Sequence, residues 1–226
     1  MTFTVVARCP QTKRLGVALA TSSPAVGNRC PVVSPRMGAA SVQLIADPRQ
    51  TMLARRLIDL GYSAPKVLAE LRASDSFIER RQIGVVDSFG HTAAFSGPDD
   101  TWYSGHVEGD NFVAMGNGIV SEAVVTAMAE SMTASAGADL ADRIMAAVEA
   151  GAAAGGEKKG QFSAAVLVYG DEPFAEVDLR VDYHQGAVAE LRRIYDWFRP
   201  LIPYFVERSY NPYIVDADSY RASLAD

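Results

Sequence analysis

Along residues 3–7, Phe3, Val5 and Ala7 fall on one parity and Thr4 and Val6 on the other, and a second apolar run covers 16–21. Such runs on either side of the polar stretch Gln11-Thr12-Lys13-Arg14 predict two strands joined by a hairpin turn. A third strand is predicted over 39–44. The period then lengthens. Asp47 supplies a helix cap and Pro48 fits the first helical position. Met52, Leu53, Leu57 and Leu60 fall on one helical face, and Gly61 ends the helix. Ser63 is expected to cap a second helix carrying Val67, Leu68 and Leu71.

Strands return at 82–86 and 91–95, joined through Asp87-Ser88-Phe89-Gly90. They continue at 103–107 and 112–115 across Glu108-Gly109-Asp110. Two helices follow. One, over 121–132, has Val124, Val125, Met128 and Met132 on one side; the other, over 140–150, carries Leu140, Ile144, Met145 and Val148. A Gly/Ala-rich connector, 151–160, leads into strands at 163–169 and 176–183 and a last helix over 187–198. Strands that come in adjacent hairpins, separated by helical pairs, predict antiparallel sheets. Two sheets, each covered by helices, bury all these apolar faces. The expected fold is α+β, with layers in the order αββα. One domain is expected over residues 1–198, followed by an aromatic and proline-bearing extension over 199–226. Pro203, Tyr204, Phe205, Tyr210 and Pro212 predict an arm that packs either on its own domain or on a second copy, the latter giving a homodimer.

Composition narrows the partners. A chain of 226 residues with 49% hydrophobic and 21% charged side chains suits one globular domain. Net charge is −6, and basic residues never run beyond pairs such as Lys158-Lys159, so nucleic acid is not an expected partner. No apolar run approaches the ~20 residues that cross a bilayer, and no basic leader with an apolar core opens the chain. A cytoplasmic protein without a membrane partner is expected. Cys9 and Cys30 form neither a disulfide framework nor a metal-ligand spacing.

The candidate chemistry begins at Thr2. If Met1 is removed, the Thr2 hydroxyl sits beside a free α-amine whose ordinary pKa is about 8, a nucleophile with its own base. Thr21-Ser22-Ser23 ends the second strand and brings hydroxyls toward the chain start. Glu176, Asp178, Arg180, Asp182 and His184 share one parity of a strand, which reads either as a solvated face or as a polar pocket wall. Asp182 and His184 are the one pair that could chelate a metal, and no second ligand pair accompanies them. Gly151 to Gly156 has the spacing of a phosphate loop, but Glu157 stands where that loop needs lysine. Gln43, Arg80, Arg81, Gln82, His106 and Asn117 are polar residues at strand ends or within strands, and their amide and guanidinium groups are candidates to hold an oxyanion or a carboxylate.

Several segments together carry a resemblance. They are Met1-Thr2-Phe3-Thr4-Val5-Val6-Ala7-Arg8, Gly16 to Ala20 with Ala25-Val26-Gly27, and Arg81 to Asp87. Further segments are Gly105-His106, Gly116-Asn117, Gly155-Gly156 with Gln161 and Ser163, and Asp178 to Asp182 with His184. The chain resembles the bacterial domain-of-unknown-function family 1028, placed by fold among the N-terminal-nucleophile (Ntn) hydrolases. It departs from the family pattern at Cys9, Cys30, Met115 and Glu157. The resemblance implies an αββα sandwich and Thr2 as nucleophile.

The resulting expectation is an amidohydrolase acting on a small substrate, without metal or other cofactor. Thr2 attacks, its α-amine serves as base and then acid, and Asn117 or a backbone N–H holds the oxyanion. Arg80, Arg81 or Arg180 binds a substrate carboxylate, while Ser22, Gln43 and His106 shape the pocket. The alternative is a catalytically inactive small-molecule-binding or scaffold protein on the same fold. A metal-dependent hydrolase centred on Asp182 and His184 is a third reading.

Overall fold

The computed structural model describes residues 1–224. The chain opens with the hairpin β1 (Thr2–Arg8) and β2 (Leu15–Thr21), then β3 (Pro31–Ser34) and β4 (Gly38–Leu44). Helices α1 (Pro48–Asp59) and α2 (Ala64–Ser74) precede β5 (Arg81–Asp87), β6 (Thr92–Ser96), β7 (Tyr103–Gly109) and β8 (Phe112–Ile119). Helices α3 (Ala123–Ala134) and α4 (Leu140–Ala153), strands β9 (Ser163–Tyr169) and β10 (Ala175–Val181), and helix α5 (Ala187–Phe198) follow. As predicted, Asp47 caps α1 by accepting the Arg49 N–H, and Pro48 occupies the first turn.

The strands form two antiparallel sheets. One has the order β10-β9-β2-β1-β8-β7 and the other the order β3-β4-β5-β6. Helices α1 and α2 cover the outer face of the four-stranded sheet, where Ala54, Leu57, Ile58, Val67 and Leu71 pack on Ala40, Val42, Ile83 and Val85. Helices α3, α4 and α5 cover the outer face of the six-stranded sheet. Between the sheets lies a third apolar cluster, containing Val6, Val17, Leu19, Val33, Ala39, Val86, Val113 and Met115. The α+β, αββα arrangement is therefore the one expected.

Among the differences from expectation, three have clear local reasons. Strand β3 is not foreseen; it is four residues long, begins with Pro31 and lies at a sheet edge, where a missing N–H costs no ladder bond. Strand β8 runs on to Ile119 because Gly116 and Asn117 stay in register with Phe3 and Thr2 of β1. Strand β10 stops at Val181, and the Asp182 carbonyl turns to accept the Ala25 N–H at 2.8 Å.

The tail continues from α5 through the turn Arg199–Leu201 into α6 (Ile202–Arg208) and α7 (Ala217–Ser223). Leu201 and Tyr204 are buried, the Tyr204 ring lies against Phe205 and Tyr220, and Arg221 donates to the Trp197 carbonyl. These contacts fold the tail back against α5. Among the described residues no helix is long and apolar enough to cross a membrane.

Candidate active site

Strand β1 lies inside the six-stranded sheet, and its first residue, Thr2, pairs with Asn117. Alternation turns Thr2, Thr4 and Val6 toward the facing sheet, and Thr4 confirms it: its hydroxyl donates across the gap to Gln43 Oε1 at 2.6 Å. Thr2 is 4% exposed. Its Oγ1 lies 3.3 Å from Thr21 Oγ1, and both hydroxyls donate to the Met1 carbonyl. The Met1 side chain rests on Gly118, whose φ of +62° and lack of a Cβ make room for it.

Beside Thr2 opens a cavity of about 200 Å³, lined by Thr2, Thr21, Ser23, Arg29, Cys30 and Ile45 among others. Burial pushes the Cys30 thiol up to about 11, so it stays protonated and is no rival nucleophile. Arg29 is the one side-chain cation among the described residues that line this cavity. Its Nη2 donates to the Pro24 carbonyl at 2.6 Å.

Behind Thr2, a chain of amides crosses between the sheets. Gln82 Nε2 lies within hydrogen-bond distance of the carbonyls of Gly116 (2.9 Å) and Gly105 (3.0 Å) and of Ser96 Oγ (2.8 Å), three acceptors for its two hydrogens. Carbonyls only accept, so this end of Gln82 must be its NH₂ group. Its Oε1 therefore faces the other way and accepts from Gln43 Nε2 (2.8 Å) and Asn117 Nδ2 (2.9 Å). Gln43 Nε2 also lies 3.4 Å from the Thr2 carbonyl. The orientation of Gln82 thus dictates that of Asn117, whose Oδ1 is left buried without a donor.

Glu157 is the second buried acceptor at this end. It is 3% exposed; Oε2 accepts the Ser22 N–H at 2.9 Å, and Oε1 has no partner. Burial pushes its carboxyl up to about 7, against the opposing pull of Ser22, the chain's α-ammonium group and Thr21.

The predicted residues divide. Thr2, Gln43 and Asn117 converge, and Ser22 joins them through Glu157. The three predicted arginines lie elsewhere. Arg81 is buried, with Nε 2.7 Å from Asp75 and a further carboxylate, Asp47, 3.7 Å away. Its role is to tie the loop after β4 to the start of β5. Arg80 is exposed and pairs with Asp99 at 3.1 Å. Arg180 packs its stem against Gly27 and stands 3.9 Å from Asp178 on an exposed strand face. His106 is exposed on β7 and contacts Ser96 Oγ at 2.9 Å. Asp182 and His184 are exposed, His184 Nδ1 accepts the Gly186 N–H, and no cluster of three or more His, Cys, Asp or Glu side chains is placed to hold a metal among the described residues. Arg29, and Glu157 as a buried acid beside Ser22, were not foreseen; Gln82, a candidate from the sequence, organises the amides. Gln43 and Gln82 carried a signal, being polar residues inside otherwise apolar strands.

Among solved structures the chain is similar to protein SPO2555 from Silicibacter pomeroyi, which carries the same family description as the match below. The two are 28% identical, with 87% of this chain and 88% of that one covered and a TM-score of 0.80. Two further similarities are far lower. The ancestral beta-subunit Anbu from Yersinia bercovieri is 11% identical over 90% of this chain and 96% of its own, with a TM-score of 0.42. A mutant Anbu from Hyphomicrobium sp. strain MC1 is 10% identical over 96% and 99%, with a TM-score of 0.43. No curated protein matches the chain. The model of a family of unknown function, DUF1028, matches residues 2–191. The chain belongs to the DUF1028 family.

Proposed function

We propose that this protein is an amidohydrolase of the N-terminal-nucleophile type, cleaving an amide-like bond in a small substrate with Thr2 as nucleophile once Met1 is removed. The observation that carries the reading is the Thr2 hydroxyl at the head of a central strand, bordering a cavity of about 200 Å³ and 3.3 Å from a second hydroxyl. Oγ1 attacks the carbonyl carbon and its proton passes to the Thr2 α-amine. The protonated amine then delivers that proton to the leaving nitrogen, and the C–N bond breaks. Water, deprotonated by the same amine, releases the acyl group.

The site also suggests what the substrate carries. With Arg80, Arg81 and Arg180 placed elsewhere, Arg29 is the group that would hold a substrate carboxylate. Asn117 gives one amide hydrogen to Gln82, and its second is the candidate oxyanion donor.

A second reading, a binding protein without turnover, has an observation of its own: the Met1 carbonyl and side chain fill the ground in front of Thr2. One experiment separates them. Intact-mass measurement of the native protein, followed by incubation with an activated ester and peptide mapping, is expected to show loss of Met1 and a single acyl group on Thr2. Retained Met1 in all molecules, or no acylation of the processed chain, refutes the hydrolase.

A further inference from the structure

The strand lane ahead of β1 is occupied. Strand β8 continues past the Thr2–Asn117 pair to Ile119, and residues preceding β1 would ordinarily lie beside that stretch. Segment 156–158 lies there instead. The Val120 N–H donates to the Gly156 carbonyl at 3.0 Å, the Lys158 N–H donates to the Gly118 carbonyl at 3.2 Å, and Glu157 forms an antiparallel bridge with Ile119. From the other side, the end of β2 reaches in, with the Ser22 N–H on Glu157 Oε2. Gly156, at φ +56° and with Gln161 Nε2 where a Cβ would be, makes the turn that brings Glu157 into the lane.

Glu157 thus closes the lane in which the chain begins. Its Oε1 is buried and has no donor, and leaving such an acceptor unpaired costs about 1–3 kcal/mol, more if it is charged. The group that the topology aims at it is the α-amine at the head of β1, which brings up to three N–H donors. The other charged groups at this end are differently engaged. The Asp100 carboxylate accepts the Gly118 N–H at 2.8 Å, while Lys158 and Lys159 follow on the same segment and are exposed. Thr21 and Ser22 face Glu157 from β2 and are neutral.

We propose that Glu157 is a positioning residue for the α-amine of the processed chain, holding it through Oε1, directly or through one water in the space that Met1 vacates. The inference rests on the reading of Thr2 as nucleophile and gives that reading a missing part. An α-amine serves as base only when neutral. Glu157 takes the surplus proton, so that ammonium and carboxylate become amine and carboxylic acid with no outside reactant. The match between the Glu157 carboxyl, at about 7, and an ordinary α-amine, at about 8, keeps that exchange near balance. The held amine also keeps its lone pair beside Thr2 Oγ1.

The test uses the full processed chain with its natural sequence, labelled with ¹³C at the glutamate side-chain carboxyls. The Glu157 resonance is identified by its absence in Glu157→Gln or Glu157→Asp, and its titration is followed by NMR. The α-amine is then blocked with cyanate and the titration repeated. Loss of a neighbouring positive charge is expected to raise the Glu157 midpoint by about one pH unit. Coincident midpoints overturn the proposal. Because both titrations use the unaltered sequence, the result does not depend on how well a variant folds. Acylation of Thr2 by an activated ester is scored separately: its absence refutes the nucleophile reading, while the titration alone decides the pairing of Glu157 with the amine.

Discussion

The space between the two sheets has two halves, built on the same four strands and filled by opposite chemistry. Along β1 the inward residues run Val6, Thr4, Thr2; along β8 they run Val113, Met115, Asn117. On the facing sheet, β4 contributes Ala39, Ser41, Gln43 and β5 contributes Val86, Gly84, Gln82. Every strand passes from apolar to polar in the same direction. All these residues are buried, so exposure does not separate the halves. Gly84 stands at the border, where a Cβ would come within 3.0 Å of Met115 Sδ, so the one long side chain crosses over the one missing one. The apolar half is held by burial, which has no direction. The polar half is held by a chain of hydrogen bonds in which each amide dictates the orientation of the next. It also contains two acceptors left over, Asn117 Oδ1 and Glu157 Oε1. A layer designed only for stability would leave neither.

The contrast can be tested by perturbing each half. Leu19→Ala, on β2 in the inter-sheet apolar cluster, is expected to cost about 3 kcal/mol in chemical denaturation; a loss below about 1 kcal/mol would mean that this cluster is not the main support. Glu157→Gln probes the polar half through pH. Burial pushes the folded carboxyl up to about 7 from an ordinary value of about 4.5, so the folded state holds the extra proton between those values. The native protein should therefore lose stability relative to the variant as pH rises through that window, by up to about 3 kcal/mol, with the difference smallest below pH 4. Parallel stability curves for the two proteins would contradict the assignment. Gln82→Leu leaves the amides of Gln43 and Asn117 and the carbonyls of Gly105 and Gly116 short of partners, and should cost about 2 kcal/mol, read as a drop in melting temperature. Thr2→Val is nearly isosteric and should change stability by about 1 kcal/mol or less, yet abolish acylation by an activated ester. Equal acylation of the Val variant would place the reactive group elsewhere.

The sandwich was legible because its signals are local. Phe3, Val5 and Ala7 alternate, Asp47-Pro48 opens α1, and paired hairpins imply antiparallel sheets. Strand β3 escaped because four residues starting at a proline show no alternation to read. The site was legible only in part. Thr2 announces itself by position, and Asn117 as an amide at the end of an apolar strand. Their pairing depends on the register of two strands far apart in the sequence. Arg81 reads as an available cation, yet Asp75, near in sequence, and Asp47, from the loop before α1, consume it. Arg29 belongs to an unremarkable turn whose placement beside Thr2 is settled only by the packing of the sheets. Glu157 was visible as the residue that spoils a phosphate loop, but its value lies in the lane it fills, and lanes belong to sheets rather than to segments.

The anchoring of Met1 has a consequence for timing. With its carbonyl gripped by two threonines and its side chain seated on Gly118, the half-buried Met1 is held at both its peptide bond and its side chain while β1 is docked. Under the reading of Thr2 as nucleophile, trimming is expected to be fastest before that strand docks, while its end is still loose. On that reading, the ratio of trimmed to untrimmed chains would record the race between the peptidase and the closing sandwich.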